Sequence, residues 1–136
     1  MLLVEDNKLN QEVAREILEE FNFTVDLANN GQEACRMADS NIYEIILMDI
    51  QMPIMNGLEA TREIRKMPGG KEIPILAMTA NAMDEVREQC TQAGMSGFLT
   101  KPIDIADLAS SLYEWIPDLR ETNLTTASTE RLTSDS

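Results

Sequence analysis

The chain has 136 residues, 43% of them apolar, and carries 11 Lys and Arg against 24 Asp and Glu for a formal net charge of −13. That is the length and composition of one folded domain; no apolar run approaches the roughly 18 residues of a spanning helix, and Met1 to Asp6 meets acid at once with no basic leader, so a cytoplasmic chain is expected. The absence of histidine excludes Ser–His and Cys–His nucleophiles and HExxH zinc sites, and an acidic surface with no basic stripe argues against contact with nucleic acid or a membrane.

Leu2-Leu3-Val4 is a short apolar run that ends on the acids Glu5 and Asp6. A helix follows in which Leu9, Val13, Ile17 and Phe21 share one face, with Ala14 and Leu18 beside it and polar residues opposite. Phe23 to Ala28 alternates as a strand, Asn29-Asn30-Gly31 is turn chemistry, and a second helix runs from about Gln32 to Asp39. Ile45 to Met48 is a second apolar run ending on acid, at Asp49. Met52-Pro53 and Asn56-Gly57 then break the chain, Leu58 to Met67 forms a third helix, and Pro68-Gly69-Gly70 ends it. Ile73 to Met78 reads as a strand finishing at Thr79. Asn81 suits the N-cap of a helix running to Ala93, with Val86, Cys90 and Ala93 inward and Gly94 as its stop. Gly97 to Thr100 is the last strand before Lys101-Pro102, and Ile105, Leu108, Leu112 and Trp115 stripe a final helix.

Five strands alternating with five helices make a (βα)5 chain, and strands without alternation belong to a parallel sheet covered on both faces. From about residue 118 the periodicity stops. Residues 119–136 hold eight Ser or Thr and read as a polar tail or linker, with 1–117 as the domain. Cys35 and Cys90 are too far apart for a CxxC motif and read as small buried thiols, and the nine methionines as core filling.

In a doubly wound parallel sheet the carboxyl ends of the strands share one edge, where ligands bind. Glu5, Asp6, Asp49, Thr79 and Lys101 all fall there. Each alone is ordinary as a cap, a strand residue or a solvated lysine; together they form one polar cluster ending otherwise apolar strands. Two carboxylates about 4 Å apart repel by roughly 4 kcal/mol at an effective dielectric near 20, so the three acids must protonate or recruit a cation. Magnesium suits a few carboxylate oxygens with water and phosphate oxygens, and Lys101 adds positive charge on the far side of a bound anion. Carboxylate, magnesium, lysine and hydroxyl are the parts that handle a phosphoryl group.

Leu2-Leu3-Val4-Glu5-Asp6-Asn7, Met48-Asp49-Ile50-Gln51-Met52-Pro53 with Asn56-Gly57, Met78-Thr79-Ala80 and Phe98-Leu99-Thr100-Lys101-Pro102 together resemble the receiver domain of two-component response regulators. Asn10-Gln11 and Leu58-Glu59-Ala60-Thr61-Arg62 are most similar to receivers of hybrid histidine kinases. The resemblance covers about residues 1–117 and implies a flavodoxin-like sheet of strand order 2-1-3-4-5. It implies that Asp49 is the phosphoacceptor, taking a phosphoryl group from a phosphohistidine on a histidine kinase or histidine-phosphotransfer domain. Asp6, Asp49 and the backbone carbonyl of Gln51 would ligate Mg²⁺, with Glu5 acting through water. Lys101 would pair with phosphoryl oxygens and Thr79 would donate its hydroxyl. Phe98 would turn inward behind Thr79 and alter the face of the fourth helix, fifth strand and fifth helix, which is also the implied dimerisation face. Lys101-Pro102 resembles the family's cis peptide. Asn56 stands where many relatives carry Asp, at a position that is not a ligand.

Two other function classes compete. A phosphorylation-independent pseudo-receiver would be expected to lack one of Asp6, Asp49 or Lys101, and all are present. A haloacid-dehalogenase-like phosphatase wants DxD after its first strand, where this chain reads Glu5-Asp6-Asn7. The first strand begins almost at Met1, as expected of a piece excised from a larger protein, such as the cytoplasmic part of a membrane-bound hybrid sensor kinase.

Overall fold

The computed structural model describes residues 1–52, 54–80, 83–101 and 103–115. In chain order the elements are β1 (Leu2–Val4), α1 (Lys8–Glu20), β2 (Asp26–Ala28), α2 (Gly31–Ser40), β3 (Ile46–Asp49), α3 (Gly57–Arg65), β4 (Ile75–Thr79), α4 (Asp84–Ala93), β5 (Gly97–Thr100) and α5 (Ile105–Trp115). The strands pair in parallel in the order β2-β1-β3-β4-β5, the expected doubly wound order.

The apolar runs are continuous because alternate residues enter two different layers. Leu2, Val4, Ile46, Met48, Ile75 and Ala77 pack with Ala34, Ala60, Ile64 and Cys90 from α2, α3 and α4. Leu3, Leu47, Leu76, Met78 and Leu99 pack with Leu18 of α1 and with Leu108 and Leu112 of α5. Each fully buried Leu or Ile contributes about 1.5–3 kcal/mol, so a charge placed at Leu47 in central β3 would disrupt the second layer. Three helices begin on asparagine: Asn7, Asn30 and Asn56 accept from the backbone N–H of Asn10, Glu33 and Glu59. That satisfies one otherwise orphaned donor per helix and gives Asn56 a structural role.

Several sequence expectations change. The stripe Leu9, Val13, Ile17 and Phe21 does not turn wholly inward: Leu9 is 69% and Val13 51% exposed, and the buried residues of α1 are Gln11 and Leu18. Strand β2 holds only three of the six residues from Phe23 to Ala28, because its one partner, β1, starts at Leu2 opposite Asp26. Helix α4 starts at Asp84 with Met83 as N-cap rather than at Asn81, which lies outside the described residues, as do Pro102 and residues 116–136. Gly94 ends α4 as expected, with a left-handed φ of 103° that a side chain would strain. Cys90 is buried and Cys35 half-buried; both are free, and burial raises both thiol pKa values.

Candidate functional site at the carboxyl edge of the sheet

The ends of β1 and β3 are adjacent in the sheet, so Glu5, Asp6 and Asp49 converge. Each offers a carboxylate oxygen within 4.8 Å of the others; Glu5 and Asp49 are buried and Asp6 is exposed. The backbone continues the ladder here, Glu5 N–H donating to the Ala28 carbonyl at 3.0 Å. On the other side of Asp49, Gly57 N–H donates to the Ile50 carbonyl at 2.8 Å. A Cβ at Gly57 would run into the Asp49 carbonyl oxygen, so the start of α3 packs on this loop only with glycine there.

Lys101 is not held apart from the acids on the far side of a ligand space. It bridges them, with Nζ 2.7 Å from Glu5 Oε1 and 3.2 Å from Asp49 Oδ2. Its own N–H donates to the Thr79 carbonyl at 2.7 Å, which ties the end of β4 to the lysine. Thr79 is buried at that strand end, and Gln51 is exposed two residues past Asp49. Phe98 is half-buried on β5.

The charges resolve their repulsion unequally. Burial first, then the neighbouring Glu5 charge, pushes the Asp49 carboxyl up to about 7 against the pull of Lys101. Burial raises Glu5 too, but the Lys101 ammonium and the Asn7 N–H outweigh it and hold its carboxyl below the usual range. For Lys101 burial works against the charge, and the hydrogen bond to Glu5 with the charge of Asp49 overcomes it, so its pKa rises. One lysine among three carboxylates leaves negative charge in excess. An all-oxygen donor set of that charge fits a hard divalent cation.

Two features of the site escaped the sequence reading. Gln11 is buried, and its Nε2 donates to the Glu5 carbonyl and to Asn29 Oδ1, the latter at 2.9 Å. Asn29 is in turn held by Glu33, whose Oε1 accepts from its N–H and its Nδ2, each at 3.0 Å. The available signal was a glutamine one turn after the Asn7 cap, on the side facing the acid pair. The second is a groove of about 490 Å³ that runs from Glu5 and Lys101 along α1, past Leu9, Val13, Ile17 and Ile103.

A parallel sheet with acids and one lysine gathered at its carboxyl edge defines a doubly wound α/β domain with a charged cluster at the edge where such folds place their sites. The chain belongs to the response regulator receiver domain family, whose profile matches residues 1–113. It is 36% identical to "Probable histidine kinase 1" of Oryza sativa subsp. indica over 86% of this chain and 15% of that protein. It is 41% identical to "Hybrid signal transduction histidine kinase M" of Dictyostelium discoideum over 85% of this chain and 5% of that protein. The chain thus spans a small part of these relatives' length. Among solved structures, the receiver domain of sensor histidine kinase PA1611 from Pseudomonas aeruginosa PAO1 superposes with a TM-score of 0.81 at 45% identity, covering 85% of this chain and 95% of that one. That crystal structure holds a magnesium ion coordinated in its active-site cleft. The receiver domain of the response regulator Ssk1 of Saccharomyces cerevisiae, crystallised with the histidine phosphotransfer protein Ypd1, has a TM-score of 0.77 at 30% identity, covering 84% of this chain and 86% of that one.

Proposed function

We propose that this domain is a phosphoacceptor switch in which Asp49 takes a phosphoryl group from a phosphohistidine of a histidine kinase or histidine-phosphotransfer domain. An Asp49 carboxylate oxygen forms the new bond to phosphorus as the phosphorus–nitrogen bond breaks, and the departing imidazole nitrogen takes up a proton. The observation that carries this reading is the geometry at Asp49: a buried carboxylate at a strand end, with Glu5 and Asp6 within 4.8 Å and Lys101 Nζ at 3.2 Å.

Asp6, Asp49 and the Gln51 carbonyl would hold Mg²⁺ directly, with Glu5 acting through water. Bound there, the ion would supply charge neutralisation for the phosphoryl oxygens and would favour the ionised form of Asp49. Lys101 already lies between Glu5 and Asp49 and can move its ammonium onto a phosphoryl oxygen with little displacement. Thr79, fixed at the end of β4 through its carbonyl, would donate its hydroxyl to the phosphoryl group. Phe98 would follow it inward.

A macromolecular donor would approach along α1. Leu9 and Val13 stand exposed beside the groove that ends at Lys101 and Glu5, which suits an apolar helix face presenting its phosphohistidine to the site. The α4–β5–α5 face is proposed for the output contact or for dimerisation, 118–136 as a linker, and a cytoplasmic setting as the place of action. No helix among the described residues is long and apolar enough to cross a membrane.

Incubation with acetyl phosphate and Mg²⁺ tests the reading by intact mass. One phosphoryl adduct is expected on the wild type and none on Asp49→Ala. No wild-type adduct would leave a phosphorylation-independent binding module as the better description, and an equal adduct on the variant would remove Asp49 as the phosphoacceptor.

A further inference from the structure

Strand β5 alternates across the sheet. Leu99 enters the layer of Leu76, Met78, Leu108 and Leu112, and Phe98 packs against the opposite layer, which holds Ala77 and Cys90. Its ladder neighbour on β4 is Ala77, and Thr79 lies two residues further along the same face. Ala77 is the smallest side chain of β4, so a ring moving from Phe98 towards Thr79 passes a single methyl rather than a branched chain. The ring nevertheless stands half-buried, with the guanidinium of the exposed Arg87 on α4 lying over it, 4.9 Å from its centroid. Among the described residues the ion pairs join Lys66 to Glu63 and Lys101 to Glu5 and Asp49. Among those residues Arg87 has an aromatic face as its partner and no carboxylate.

The helix carrying Arg87 is fixed at its far end. Arg65 donates from Nε to the Gly94 carbonyl at 2.9 Å and from Nη2 to Ser96 Oγ at 3.2 Å, holding the turn between α4 and β5. Arg87 lies in the first half of α4 and joins that half to β5.

We propose that Arg87 is a latch on the resting state, a positioning residue whose guanidinium holds Phe98 half-exposed on the α4–β5–α5 face. It rests on the phosphoacceptor reading, in which Phe98 turns inward once Thr79 is drawn to a phosphoryl group on Asp49. Inward rotation withdraws the ring from beneath the guanidinium, so the contact exists in one state only and biases the equilibrium towards that state. A cation–π contact at an exposed site shifts a two-state ratio about two- to fivefold.

Isothermal titration of the full chain with beryllofluoride and Mg²⁺, which together mimic a phosphoryl group on a carboxylate, tests the latch. Arg87→Ala is expected to bind about two- to fivefold more tightly than the wild type, and Arg87→Lys to fall between them. Loss of a merely structural contact would lower the melting temperature and leave this ratio unchanged. If Arg87→Ala folds poorly, Arg87→Gln removes the charge at similar length and gives the same comparison. Unchanged or weaker binding by the variant, with the wild type still binding, overturns the latch alone. No binding by the wild type overturns the phosphoacceptor reading and the latch with it.

Discussion

Two half-buried cations sit in the sheet's connections, and their surroundings could hardly differ more. Lys101, at the carboxyl edge, faces two carboxylates, which outweigh burial and raise its pKa. Arg65, near the start of β4, faces neutral acceptors: the carbonyls of Gly94, Gly70 and Ile73 and the hydroxyl of Ser96, at 2.6 to 3.2 Å. Nothing there offsets burial, and the Arg65 pKa falls. The planar fork of Arg65 fills fixed neutral acceptors, one of which, Ser96 Oγ, also accepts from the Ile75 N–H at 3.2 Å, and this makes a clamp. Lys101 is a mobile point charge between carboxylates competing for it, which makes a site whose charge distribution a ligand can rearrange.

Breaking the clamp should have the largest effect. Arg65→Ala leaves several part-buried acceptors without a donor and should cost about 3 kcal/mol of stability, read as a lower urea midpoint. Arg65→Lys should recover less than half of that, because one ammonium cannot reach four acceptors. An alanine variant as stable as the wild type would end the distinction between the two cations.

The site should respond in the opposite sense. Asp49→Asn removes a charge that burial and Glu5 disfavour, so without divalent cation at pH 8 the variant should be more stable by about 1–2 kcal/mol, after discounting for solvent screening at the open rim. The sign follows from proton binding: Asp49 has an ordinary value of 3.8 when unfolded and about 7 when folded. The folded form therefore holds the extra proton, and Asp49 lowers stability as pH rises between those values. Glu5, whose carboxyl is held down, acts in the reverse direction and only below its ordinary 4.5. Between about 4.5 and 7 Asp49 is the carboxylate whose shift acts, and thermal melts should decline across that window more steeply for the wild type than for Asp49→Asn.

Metal binding sharpens the same contrast. Because a cation must displace the Asp49 proton, magnesium affinity should fall by up to about tenfold per pH unit below 7 and level off above it. Asp6→Ala should weaken binding at every pH without removing that dependence. A titration indifferent to pH, or to Asp6, would remove the corresponding residue from the metal site.

Much of this was legible before folding. Runs such as Leu2-Leu3-Val4 and Ile45 to Met48 are apolar throughout because both sheet faces are covered, and acid at the end of such a run has only the carboxyl edge to occupy. The helix caps Asn7, Asn30 and Asn56 act through their nearest neighbours. Leu9 and Val13 misled the reading because helical periodicity marks a common face without telling what covers it. Arg65 stayed hidden because its acceptors lie up to 31 residues away and are carbonyls and a hydroxyl, which leave no charge pattern.

The sequence by itself determined the alternation of elements, the parallel sheet and the five residues at its carboxyl edge, because strand burial and chain direction are local properties. Tertiary structure decided how those residues share charge: which acid holds the lysine, that Asp49 is the one pushed to about 7, and that Gln11 secures the Glu5 backbone. It also decided that Arg87 lies over Phe98. Desolvation and Coulomb energies depend on distance and burial across elements far apart in the chain, and only the packed domain fixes those.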